Sequence, residues 1–138
     1  MRFMMLMIPL GYETAPPDVK LDPERVSAMM KYNEALKDAG VLITLDGLHP
    51  PSVGARVSFA TGKPIVTDGP FTESKEVIGG FAILRANSKE EAIQMAKDFL
   101  QVMGQGETEI RQLFDTPECV HQNYEILAEV RAQAAAKH

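Results

Sequence analysis

The order of apolar patterns predicts an α+β fold of the split βαβ, ferredoxin-like kind: an antiparallel sheet with helices on one face. Three observations carry this. Strand-like runs and helix-like repeats alternate as β, α, β, β-hairpin, β, α, β. An extra helical stretch follows the last strand. No internal repeat or low-complexity segment interrupts the 138 residues, a length that suits a single core. Residues 1–115 are therefore expected to form the domain and 116–138 a helical extension.

Each element has its own signal. Residues 2–8 are an apolar run ending at Pro9 and Gly11, as a buried strand would be. The run is too short for a signal peptide's apolar region or a membrane span. Asp22-Pro23-Glu24 opens a helix with an N-cap carboxylate and a proline in the first turn. Val26, Met29, Met30, Leu36 and Ala39 give that helix its apolar stripe, and Gly40 ends it. Val41 to Leu45 suits a second strand, and the prolines of Asp46-Gly47-Leu48-His49-Pro50-Pro51 force an irregular path.

Ala55, Val57 and Phe59 alternate with Arg56 and Ser58, and Ile65 to Thr67 returns beyond the turn at Thr61 to Pro64. Residues 77–86 predict a strand that includes Gly79-Gly80. Ser88-Lys89-Glu90-Glu91 is a capping box for a second helix with Ala92, Met95, Ala96, Phe99 and Met103 on one face. Glu107 to Phe114 predicts the last strand, with Ile110 and Phe114 on one side and Arg111 on the other. Thr116-Pro117-Glu118 starts the closing helix, expected to fray from Arg131. Helices on one sheet face leave the other to be covered. Apolar positions there favour a sheet-to-sheet homodimer, with the closing helix as an arm for the partner.

Composition excludes several classes. The formal charge is −5 and no basic run occurs, so a direct nucleic-acid partner is not expected. Nor is a membrane. The single cysteine, Cys119, allows no internal disulfide and suits a cytoplasmic, reducing setting. It stands two residues from His121 on a helix, where side chains diverge, so an idle thiol is expected. No histidine and cysteine spacing fits a metal site, and no cofactor is expected. The eight methionines are read as core filling.

The segment Val66-Thr67-Asp68-Gly69-Pro70-Phe71-Thr72-Glu73-Ser74-Lys75-Glu76, followed by Ile78-Gly79-Gly80-Phe81, resembles the signature of the DGPF-containing, YCII-related family. Asn87 to Ala92, Gly47 to Pro51, Arg56-Val57 and the opening strand extend the resemblance over about residues 1–115. Gln112 departs from it, standing where relatives often have proline. The resemblance implies ferredoxin-like dimers of the dimeric α+β barrel kind. It also implies an acid–base function suggested for YCII-like proteins, in which a histidine and an acid meet in a cleft. Some members accompany alternative sigma factors.

Asp68 is a candidate general base or ligand-binding acid, and Asp-Gly-Pro equally makes a turn whose carboxylate accepts backbone N–H groups. His49, whose imidazole class titrates near neutrality, is a candidate proton carrier, or simply an exposed loop residue. Glu73, Lys75 and Glu76 are candidate substrate-binding groups around that turn, or a solvated charged loop. Arg56 and Arg111 could bind an anion in forked geometry, or pair with Glu73, Glu76 or Glu109. Gly79-Gly80 lacks the context of a phosphate loop and predicts a bulge or a close backbone approach. The expected function is binding of a small molecule in a polar cleft at the Asp-Gly-Pro-Phe turn, with acid–base catalysis by Asp68 and His49. The alternative is a non-enzymatic dimeric binding or regulatory module linked to sigma-factor-dependent transcription.

Overall fold

Four strands form one antiparallel sheet in the order β2-β5-β1-β6: β1 (Arg2–Ile8), β2 (Leu42–Gly47), β5 (Gly80–Arg85) and β6 (Glu107–Gln112). Helices α1 (Pro23–Asp38) and α2 (Lys89–Met103) connect β1 to β2 and β5 to β6, giving the split βαβ order. A separate hairpin, β3 (Ala55–Ala60) and β4 (Lys63–Asp68), stands between β2 and β5 in the chain. Helix α3 (Pro117–Ala136) closes the chain. The computed structural model describes residues 1–71, 76–114 and 117–137, with side chains omitted for 117–124.

The core lies between the helices and one sheet face. Along β1 every second residue is buried, Phe3, Met5 and Met7, as strand periodicity requires. Met5 and Met7 meet Leu84 of β5 and Ala96, Phe99 and Met103 of α2, while Phe3 packs with Ala86 and Ala92. Ser88 caps α2 by accepting from the Glu91 N–H at 3.1 Å, and the Glu91 carboxylate accepts from Asn87 N–H at 3.0 Å. Gly104, at φ 73°, ends the helix.

Helix α1 behaves differently. Asp22 caps it and Pro23 starts it as expected, yet none of its residues is buried. Met29, Tyr32 and Leu36 pack against the core only in part, and Met30 of the predicted stripe is 66% exposed. The helix thus stands off the sheet. Arg25 reaches the Met103 carbonyl, and the Tyr32 hydroxyl donates to the Met95 carbonyl at 3.0 Å, tying α1 to α2.

Several elements end elsewhere than predicted. β2 runs past Leu45 to Gly47, because Asp46 and Gly47 pair with Phe81 and Gly80 instead of leaving the sheet. β5 begins at Gly80, although Gly79 is still bonded on both sides, its N–H donating to the Met7 carbonyl and its carbonyl accepting from Leu48 N–H. β6 stops at Gln112, and Phe114 beyond it is 82% exposed. Helix α3 does not fray at Arg131; it runs to Ala136.

The face away from the helices carries Met4, Leu6, Phe81 and Ile83, all half-buried, since directly opposed strand residues share a face. Among the described residues no helix covers them.

Candidate functional site

Because α1 stands off the sheet, a cavity of about 360 Å³ opens between them. Its walls are apolar: Met5 and Met7 of β1, Leu42 and Leu45 of β2, Met29 and Leu36 of α1, Phe99 and Met103 of α2. The segment after β1 contributes Pro9, Tyr12, Val19 and Leu21. Polar groups are few: Tyr12, Asn33, Asp46, His49 and Gln105. A largely apolar wall with a few polar groups is the usual make-up of a small-molecule site.

His49 is exposed at this cavity, and its place follows from its neighbours. Pro50 and Pro51 are buried beside it and open a short turn closed by Gly54 N–H on the Pro51 carbonyl at 3.0 Å. Proline fixes its own φ and restricts the residue before it, so His49 leaves a stiff segment. On its other side, the Tyr12 hydroxyl donates to the Leu48 carbonyl. Burial pushes the Tyr12 phenol above its ordinary value. Leu10 N–H donates to the Gln105 side-chain oxygen at 2.8 Å, fastening the segment after β1 to the end of α2.

The described residues among those expected to share a cleft are dispersed. Of them, His49 lines the larger cavity. Glu76 lines a smaller one with Glu13 and Glu107, a cluster of like charge. Asp68 lines neither cavity; it is the exposed last residue of β4, opposite Ala55. Arg56 lies over the Phe71 ring, 4.2 Å from its centre. Arg111 sits on the uncovered sheet face, opposite Met4. Glu73 and Lys75 lie outside the described residues.

The Asp-Gly-Pro turn has a structural role. Gly69 N–H donates to the Gly54 carbonyl at 2.9 Å, and a Cβ at position 69 would land on the Pro51 carbonyl oxygen. The turn thus packs against the Pro51 segment that carries His49. The sequence did not single out Tyr12, Asn33 or Gln105. Tyr12 sits in a segment rich in proline and glycine, a recognisable loop, but nothing local marks Asn33 or Gln105. Met5, Met7 and Met103 are buried in the core and Met29 and Met95 pack against it, but Met1 and Met30 are exposed and Met4 lies on the other sheet face; several of the core methionines also wall the cavity. Among the described residues no group of three or more His, Cys, Asp or Glu could hold a metal ion, and no helix is long and apolar enough to cross a membrane.

The family model described as "YCII-related domain" matches residues 1–116. The chain belongs to the YCII-related domain family. A curated relative, "Uncharacterized protein R00369" of Rhizobium meliloti (strain 1021), is 38% identical over 61 residues, 44% of this chain. The match spans about half, 49%, of that relative. Among solved structures, 5-chloro-2-hydroxyhydroquinone dehydrochlorinase from Burkholderia phenoliruptrix AC1100, in complex with 2,5-dihydroxybenzoquinone, matches at 17% identity and TM-score 0.47. That match covers 86% of this chain and 98% of the other.

Proposed function

We propose that this YCII-related protein binds a small, mainly apolar molecule in the cavity between α1 and the sheet, and that His49 acts on it as a proton carrier. The observation behind this reading is the cavity itself: about 360 Å³ of apolar wall with an imidazole and few other polar groups. Its size falls in the range of about 300–1,000 Å³ typical of ligand pockets. An apolar body would be held by thioether and leucine side chains, and a hydroxyl or carbonyl on it would meet His49. The expected polar cleft at the acidic turn is replaced here by an apolar one at His49. Asp68 is assigned to the supporting turn, Glu76 to the smaller cavity, and Arg56 to holding Phe71.

The same reading has two copies pair through the uncovered sheet face, supported by Met4, Leu6, Phe81 and Ile83. A second reading, a non-enzymatic dimeric binding or regulatory module, draws on the exposed apolar residues of the hairpin and α3. Sigma-factor-dependent transcription is the setting the family resemblance suggests for it.

Calorimetric titration with anilinonaphthalenesulfonate tests the first reading. Leu36→Trp should fill the cavity and weaken binding about tenfold or more, a shift of ~1.4 kcal/mol or above, without lowering the melting temperature. His49→Gln should leave probe binding in place, because the apolar wall rather than the imidazole holds the probe. A probe that binds Leu36→Trp as tightly as the wild type would sink the reading.

A further inference from the structure

The cavity's polar groups are not equivalent. Two are already engaged: the Gln105 side-chain oxygen accepts from Leu10 N–H, and the Tyr12 hydroxyl donates to the Leu48 carbonyl. The Asp46 carboxylate accepts from Gly47 N–H at 3.1 Å. Asn33 differs. Its half-buried side chain lines the cavity, and it has no hydrogen-bond partner among the described residues.

Met29, Asn33 and Leu36 share one face of α1, and all three line the cavity. An apolar residue is the natural choice between Met29 and Leu36 on such a face. Asparagine competes with helix backbone bonds, and an amide among apolar groups loses water contacts unless something replaces them.

The anchors of α1 fix how deep Asn33 lies. Arg25 reaches the carbonyl of Met103, the last residue of α2. Tyr32, next to Asn33, donates to the Met95 carbonyl, roughly 12 Å further along α2. His49 lies at the Met103 end. It follows Gly47, which pairs with Gly80, itself paired with Met7 near the end of β1. The segment leaving β1 there is bonded to Gln105, just past α2. The cavity thus has exposed His49 at its mouth and Asn33 about 12 Å further in. Leu42 and Leu84, paired near the start of β2, line that inner end.

We propose that Asn33 recognises an uncharged hydrogen-bonding group (a hydroxyl, carbonyl or amide) on the buried end of an elongated apolar ligand whose other end lies at His49. This rests on the cavity reading given above and adds which end of the ligand is recognised, and by what. An amide both donates and accepts, so it can meet any of those groups. The surroundings disfavour a charged end. Leu36, Leu42 and Leu84 lie there, and no lysine or arginine is among the described lining residues, so a buried ion would be unpaired.

Calorimetric titration of the whole chain with biphenyl-4-sulfonate and its 4′-hydroxy derivative tests this. The strongly hydrated sulfonate stays at the mouth, so the 4′ position points inward. Wild type should bind the hydroxylated probe about tenfold more tightly than the parent, or better. In Asn33→Leu that preference should vanish or reverse, with the parent held at least as well as by wild type. A 4′-carboxylate should bind wild type about tenfold more weakly than the 4′-hydroxyl, or worse. A wild type indifferent to the hydroxyl overturns the assignment with no variant needed. So does a preference that survives in Asn33→Leu, or a carboxylate bound as well as the hydroxyl. Leu36→Trp separates this inference from the reading beneath it. If Leu36→Trp weakens the parent probe while the hydroxyl makes no difference to wild type, the cavity stands and the role of Asn33 falls. If neither probe binds wild type, or Leu36→Trp holds the parent as tightly as wild type does, both fall.

Discussion

His49 owes its position to residues that do no chemistry. The buried Pro50–Pro51 pair stiffens the chain after it, and the Tyr12 hydroxyl ties down the Leu48 carbonyl before it. Gly69 supports the prolines from behind. Any side chain there would enter the Pro51 carbonyl, so Gly69→Ala should destabilise the protein by roughly 1–3 kcal/mol, the usual cost of overpacking. Urea unfolding measures that loss, which should come with weaker probe binding at His49. Tyr12 gives a pH signature. Its folded phenol holds its proton to higher pH than the unfolded one, so its contribution is complete below the ordinary phenol value near 10 and is lost as pH rises through the folded value. Tyr32 is raised too, by burial and by the Asp98 carboxylate. The difference between wild type and Tyr12→Phe isolates residue 12: wild type should lose more stability than the variant on going from neutral to strongly alkaline pH. Equal losses would contradict the role given to Tyr12.

The two helices of the βαβ units show how much an element's sequence can say. Helix α2 was legible in full: cap, apolar stripe and terminal glycine all act as the residues suggest, and Ala92, Ala96, Phe99 and Met103 are buried. Ser88→Ala should cost about 1 kcal/mol through the lost cap, readable as a lower melting temperature with binding unchanged. Helix α1 carries equally good caps, but its stripe is shallow, and the cavity arises from that mismatch. Periodicity reports which face of a helix turns inward, not how closely it approaches. The site was therefore only partly legible. His49 stood out as a lone imidazole in a proline-bound loop. The cavity it lines depends on contacts among β1, α1, β2 and α2, which no local motif encodes. Conversely, the Asp-Gly-Pro-Phe motif drew attention for its charges, and its visible work is steric, through Gly69 against Pro51.

At the scale of the molecule, one sheet serves two purposes. Its inner face, incompletely covered by α1, leaves room for a ligand; its outer face, with apolar residues between a basic and an acidic end, is suited to a second copy. The two sites lie on opposite sides of β1 and meet only at the β2 edge, where Asp46 and Phe81 also line the cavity. The methionines distinguish them within one experiment. Met5, Met7, Met29 and Met103 wall the cavity; Met1, Met4, Met30 and Met95 do not. Anilinonaphthalenesulfonate titrated into protein with isotope-labelled methionine methyl groups, followed by nuclear magnetic resonance, should shift the first group and leave the second in place. Shifts centred on Met4, or none in the cavity group at saturating probe, would contradict the site proposed here.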